Sequence, residues 1–173
     1  MIGIRYIVDT NTWIDYLNAS FKGELDYKSI IELEDIIIPS IIVSELKRVY
    51  TNNKKIEHKF QEDFNKIKDL PNVKIIDKIT INVAIQAGEL RSKLGIILKK
   101  SIKKYNEIQG KQKRKTNHHI SLIDCIIISM AIANKAKVLS KDIDLIILSN
   151  PKMYNVPVEY HSLKNYIEPI YTH

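Results

Sequence analysis

The sequence predicts an α/β domain in which a parallel sheet of four or five strands is flanked by helices. Three observations predict it. Short β-branched apolar runs recur at residues 4–8, 35–38, 73–76 and 137–139. Longer stretches with apolar residues at helical spacing separate them. Caps and breakers stand at the junctions, among them Asp9, Pro39, Pro71 and Ser121. Strands that alternate with helices return in the same direction, so they pair in parallel and the helices cover the sheet faces.

Residues 4–8 read as a buried strand ending at Asp9-Thr10-Asn11, with a helix over 12–18. Residues 35–38 form a second strand stopped by Pro39, and Ser40, a good N-cap, opens a helix through about Tyr50. Ile56, Phe60, Phe64 and Ile67 recur at spacings of four, four and three, which predicts an amphipathic helix over 54–70. Residues 73–76 follow Pro71-Asn72 as a third strand. A long helix is expected over 79–108, with Gly95 a candidate break, then a polar basic loop over 110–119. Residues 121–134 make a strongly apolar helix central to the core, and 137–139 a fourth strand. A fifth strand is expected over 156–160, with a short helix after His161.

Length and composition favour a single domain over 1–173. A chain of 173 residues buries about 70% of its unfolded surface and needs no staple. With 45% hydrophobic and 27% charged residues it is an ordinary globular chain, not a disordered one. Twenty-seven basic residues against 20 acidic give a net charge of +7, which favours polyanionic partners. No apolar run approaches the roughly 20 residues needed to span a bilayer, so no membrane role is expected. The single cysteine, Cys125, excludes an intrachain disulfide and fits a reducing compartment. Its isoleucine neighbours suggest a buried thiol. The first residues do not read as a signal peptide, so the expected location is the cytoplasm.

Four acids stand at the ends of these elements. Asp9 ends the first strand, Asp142 follows the fourth through Ser140-Lys141, Asp124 lies in the first turn of the apolar helix, and Glu45 lies mid-helix between Val43 and Leu46. Ligands of open α/β sheets bind beyond the carboxyl ends of the strands. Four carboxylates gathered there would repel one another unless protonated or joined by a cation. Oxygen-only donors select a hard divalent ion, Mg2+ or Mn2+, and no cysteine and histidine pattern suggests zinc. Such ions activate water and neutralise charge in phosphoryl transfer. Each acid also has a plainer role open to it. Asp9 and Asp142 suit helix caps, Ser121 and Asp124 have capping-box spacing, and Glu45 can pair with Lys47 or Arg48. The case rests on all four together.

The strings that carry these acids resemble a known family. Tyr6-Ile7-Val8-Asp9-Thr10-Asn11-Thr12-Trp13-Ile14 resembles the opening strand and Asp-x-Asn turn of PIN-domain nucleases. Pro39 to Leu46, with Glu45, is similar to their second motif. Ser121 to Ala131, with Asp124, is similar to the third, and Val138-Leu139-Ser140-Lys141-Asp142 to the fourth. The motifs run in family order across about residues 4–160. The size and the Ala87-Gly88-Glu89-Leu90-Arg91 helix most resemble VapC-type toxins. The resemblance implies a three-layer PIN-like fold and a metal-dependent endonuclease acting on RNA. It implies that Asp9, Glu45, Asp124 and Asp142 bind the metal and carry catalysis, supported by Asn11 and Ser140. Asp144 is a further supporting candidate, as an extra ligand, a cap or a surface acid. A homodimer and an antitoxin partner are implied as well. The stretch 96–119 is longer and more basic than the compact toxin pattern.

Between Lys99 and Lys115 stand eight basic residues and one acid, Glu107. Lys99, Lys100, Lys103 and Lys104 share a helical face, and Lys113, Arg114 and Lys115 follow. Such a surface can track a phosphate backbone, and Tyr105 could stack on a base. The alternative is a solvated helix and loop. His118 and His119 fit solvated loop residues better than proton-transfer groups. Trp13 suits the core or a dimer interface.

These observations give a hydrolytic expectation. A water bound at the acidic site attacks the phosphodiester in line and leaves a 5′-phosphate and a 3′-hydroxyl. No general-base His or Lys accompanies the motifs, so the 2′-hydroxyl is not the nucleophile. A haloacid-dehalogenase-type phosphatase is a rival class, but it needs a second Asp where this chain has Asn11. A non-catalytic RNA-binding module is another, but such modules usually lack one or more of the acids. Within the nuclease reading, a housekeeping RNA-processing enzyme competes with a toxin.

Overall fold

The computed structural model describes residues 4–18, 27–108, 120–142, 144–145 and 158–159, with the backbone alone over 97–108 and 158–159. Five strands form one parallel sheet: β1 (Arg5–Val8), β2 (Asp35–Pro39), β3 (Val73–Ile76), β4 (Ala136–Leu139) and β5 (Val158–Glu159). Their order is β3-β2-β1-β4-β5, and every adjacent pair is parallel. The chain therefore winds outward from β1 through β2 to β3, then jumps to the other side of β1. The switch point lies between β1 and β4, the position beyond whose carboxyl ends open α/β sheets bind ligands.

The connections are helical: α1 (Thr10–Leu17), α2 (Tyr27–Leu33), α3 (Ser40–Asn52), α4 (Phe60–Lys68), α5 (Ile81–Ile108) and α6 (Leu122–Ala133). Strand side chains are buried on both faces, with Ile7, Val8, Ile38, Val138 and Leu139 fully enclosed, as a sheet covered on both sides requires. Trp13 from α1 and Ile128 from α6 are also fully enclosed, so Trp13 is a core residue. The apolar helix α6 buries Cys125, Ile127, Ile128, Met130 and Ala131 and packs along α5. Among the described residues no helix is long and apolar enough to cross a membrane.

Several expectations are corrected. Ser40 is the first residue of α3 rather than its cap; Pro39 occupies the cap position, and the Ser40 hydroxyl donates to the Asp77 carbonyl at 3.2 Å. The helix expected from residue 54 begins later. Asn53 takes the 55 amide on its side chain and the 56 and 57 amides on its carbonyl, which closes a turn, and a 3-10 turn (Glu57–Lys59) then leads into α4. Local bonds of this kind compete with helix extension. Gly95 does not break α5, where the buried Leu94 beside it anchors the helix to the core. Helix α2 was not anticipated; only Tyr27 and Ile31 of its seven residues are buried, too few to show a period. The expected loop over 110–119 and the helix after His161 lie outside the described residues.

Candidate metal centre

The site is built at the switch point. Asp9 follows β1 directly, and its amide donates to the Leu139 carbonyl at 3.0 Å, which continues the β1–β4 ladder by one residue. Its carboxylate caps α1, accepting the Thr12 amide at 2.7 Å. The other oxygen accepts the Ser140 hydroxyl. Ser140 is fully buried and its oxygen also accepts the Asp142 amide at 2.9 Å, so one hydroxyl links the loop after β4 to the loop after β1. Asp142 Oδ1 in turn accepts the Asp144 amide at 2.7 Å. Asp144 is buried.

Glu45 reaches this edge from the middle of α3. One of its carboxylate oxygens accepts the Thr10 hydroxyl at 2.8 Å, and the other lies 3.5 Å from the Arg48 guanidinium. Asp124 occupies the first turn of α6 in a complete capping box: the Ser121 hydroxyl donates to Oδ2 at 2.7 Å and accepts the Asp124 amide at 3.0 Å. The capping roles expected of Asp9 and Asp124 and the Arg48 pairing expected of Glu45 are thus present, while the helix expected after Asp142 lies mostly outside the described residues. A cap uses one edge of a carboxylate and leaves lone pairs on the rest, so these roles do not preclude a ligand.

The electrostatics join the four acids. Burial pushes the Asp9 carboxyl above its usual range, opposed by the Ser140 and Thr12 hydrogen bonds, and Asp142 adds repulsion. Burial raises Asp124 to about 6; the Ser121 bonds oppose this, while Asp142 and Glu45 add to it. Only Glu45 of the four has an ion pair among the described residues. The set is spread and open: among the described residues no three acid, histidine or cysteine side chains close on a single point as a cage would. Mg2+ keeps most of its waters and commonly takes only one or two carboxylates together with substrate phosphate. An open, all-oxygen set in which only Glu45 is paired with a cation among the described residues fits that habit.

The other expected residues fall as follows. Asn11 is exposed in the first turn of α1 and makes no hydrogen bond to the four acids. Residues 99, 100, 103 and 104 lie on the continuous helical backbone of α5, which keeps them at one-face spacing; their side chains, and Lys113, Arg114 and Lys115 entirely, lie outside the described residues. Cys125 is fully buried, and burial, with Asp124 adding to it and Arg91 opposing, lifts its thiol to about 11. Two contacts were not anticipated: the Thr10–Glu45 hydrogen bond, and an ion pair of Lys141 with Asp15 that ties the Asp142 loop to α1. A hydroxyl directly beside the first acid was the available signal for the former.

A PIN domain family profile matches residues 6–149. This chain belongs to the PIN-domain family. Members of that family are generally nucleases. Solved structures with the same fold include VapBC2 from Rickettsia felis bound to a DNA fragment from the promoter, at 22% identity and a TM-score of 0.60, covering 92% of this chain and 100% of that one. DNA-bound VapBC from Salmonella typhimurium is similar at 15% identity and a TM-score of 0.56, covering 91% and 98%. VapBC-1 from nontypeable Haemophilus influenzae is similar at 14% identity and 0.52, also covering 91% and 98%. No curated protein sequence matches the chain. The PIN-like α/β fold expected from the four motifs is the fold observed.

Proposed function

We propose that this PIN domain is a metal-dependent endoribonuclease and acts as the toxin of a toxin–antitoxin pair, working in the cytoplasm as a single domain over 1–173. What supports the reading is a set of shared partners at the carboxyl ends of β1 and β4: Ser140 joins the Asp9 carboxylate to the Asp142 amide, and Thr10 ties Glu45 to the residue after Asp9. Asp142 and Glu45 both raise the Asp124 carboxyl, while no three of these acids close on one point among the described residues. Asp9, Glu45, Asp124 and Asp142 are the residues that would hold Mg2+ or Mn2+. When bound, such an ion supplies an activated water and neutralises charge on the scissile phosphate.

The chain's own groups prepare that site. The Thr12 amide and Ser140 hydroxyl fix the Asp9 carboxylate, and Ser140 sets the position of Asp142 through its amide. Ser121 holds Oδ2 of Asp124 and leaves Oδ1 without a hydrogen-bond partner among the described residues. Asn11, exposed beside Asp9, is available to the substrate or the attacking water, and Asp144 supports the Asp142 turn. The lysines of the far half of α5 and Lys113, Arg114 and Lys115 supply phosphate contacts whose strength falls as salt rises. The VapBC complexes that share the fold support an antitoxin partner, and the resemblance to VapC-type toxins supports a homodimer.

The test is incubation of the purified protein with total RNA, with Mn2+ or with chelator, followed by mapping of the cut ends. Cleavage that needs the metal and leaves 5′-phosphate and 3′-hydroxyl ends supports the reading. Cleavage that survives chelation, or that leaves 2′,3′-cyclic phosphate, overturns it.

A further inference from the structure

We propose that Thr10 is a positioning residue for the acidic centre, using its hydroxyl to hold one oxygen of the Glu45 carboxylate at the Asp9–Thr10 turn while the other oxygen keeps its contact with Arg48. The inference rests on reading the four acids as a divalent-cation site, and it adds a residue with no carboxylate to that site's construction.

Thr10 is the first residue of α1 and immediately follows Asp9. It is buried, 9% exposed, yet its hydroxyl bonds to a residue 35 positions away, with 2.8 Å between Thr10 Oγ1 and Glu45 Oε2. A hydroxyl that donates to a carboxylate makes a charge-assisted bond, stronger than a neutral one. Glu45 needs such an anchor. Its side chain has three rotatable bonds, and its other oxygen faces Arg48, which sits one turn further along the same helix and is largely exposed, at 3.5 Å. Without Thr10, the only donor to Glu45 among the described residues is Arg48, which draws the carboxylate along α3 toward solvent. With Thr10, two consecutive residues do two jobs. Asp9 provides one carboxylate and Thr10 fixes the second, so the backbone at 9–10 sets the separation of the first two acids. Donors that orient a ligand in this way change metal affinity by about 10–100-fold when removed.

The experiment measures Mn2+ binding to the full chain by the loss of the free-ion paramagnetic resonance signal. Thr10→Val, which keeps the shape and removes the donor, is expected to bind Mn2+ about tenfold more weakly. Thr10→Ser, which keeps the donor, is expected to bind nearly as the parent does. In a Glu45→Gln background Thr10→Val is expected to cost nothing further, since the effect runs through that carboxylate. Should Thr10→Val not fold, Thr10→Ala removes the same donor and is read in the same way. Parental Mn2+ affinity in the donor-less variant, or an undiminished loss in the Glu45→Gln background, overturns the inference while leaving the site intact. A parent protein that binds no Mn2+ overturns the metal site itself and this inference with it, so the two failures are distinguishable.

Discussion

Replacing Asp124 with Asn is expected to make the metal-free protein more stable while abolishing its cleavage activity. The magnitude follows from the site. The Asp124 carboxyl is displaced from 3.8 to about 6, chiefly by burial. At about 1.4 kcal/mol per pH unit, the folded state disfavours its ionised form by about 3 kcal/mol. A side chain in the first turn of α6 gains up to about 1 kcal/mol from the helix dipole when charged, and partial exposure screens the remainder. Asn keeps an acceptor for Ser121 and carries no charge. The net gain is about 1–2 kcal/mol above pH 7, or about 3–6 °C in melting temperature for a chain of this size. The sign with pH is fixed. A carboxyl whose folded pKa lies above its unfolded value loses relative stability as pH rises through about 6, and the penalty vanishes below 3.8. Thermal melts in chelator from pH 4.5 to 8 should therefore show the two proteins converging at the acid end and separating at the alkaline end. Added Mn2+ should raise the parent's melting temperature more than the variant's. A variant that melts below the parent at pH 8, by a margin independent of pH, would refute the account of strained carboxylates.

Ser140→Ala removes the buried hydroxyl shared by Asp9 and the Asp142 amide. It should cost about 1–3 kcal/mol in chemical denaturation, with cleavage reduced as well. Ile128→Ala opens a cavity in the fully enclosed face of α6 and should destabilise by about 2–5 kcal/mol in the same assay. Lys135, at the turn from α6 into β4, has a φ of 51°, which suits glycine. Lys135→Gly should stabilise the fold by about 0.5–1 kcal/mol in thermal melts, since relief of left-handed strain exceeds the added freedom of the unfolded chain.

The strands and the acid-bearing elements were legible because their signals are local. Runs such as Ile36-Ile37-Ile38 before Pro39, and α6 with its Ser121–Asp124 cap, announce both type and boundary in a few residues. What the sequence concealed depends on contacts between distant residues or on competition within turns. The strand order, and so the switch point, follows from pairing that no run displays. Thr10 is a common helix-start residue until Glu45, 35 positions on, is brought against its hydroxyl. Asn53 delays α4 by binding three amides of the segment that the hydrophobic period assigns to the helix. Helix α2 is too short for its period to register. The acids themselves were readable as a pattern, but their spread arrangement was not: chain order cannot distinguish a closed cage from an open set.

The most direct measurement is anomalous diffraction from crystals soaked in Mn2+. The account predicts one or two strong peaks at the carboxyl edge of β1 and β4, within coordinating distance of Asp9 and at least one of Glu45, Asp124 and Asp142, and absent from Asp9→Asn crystals. No peak at that edge, or peaks only on surface acids elsewhere, would contradict it.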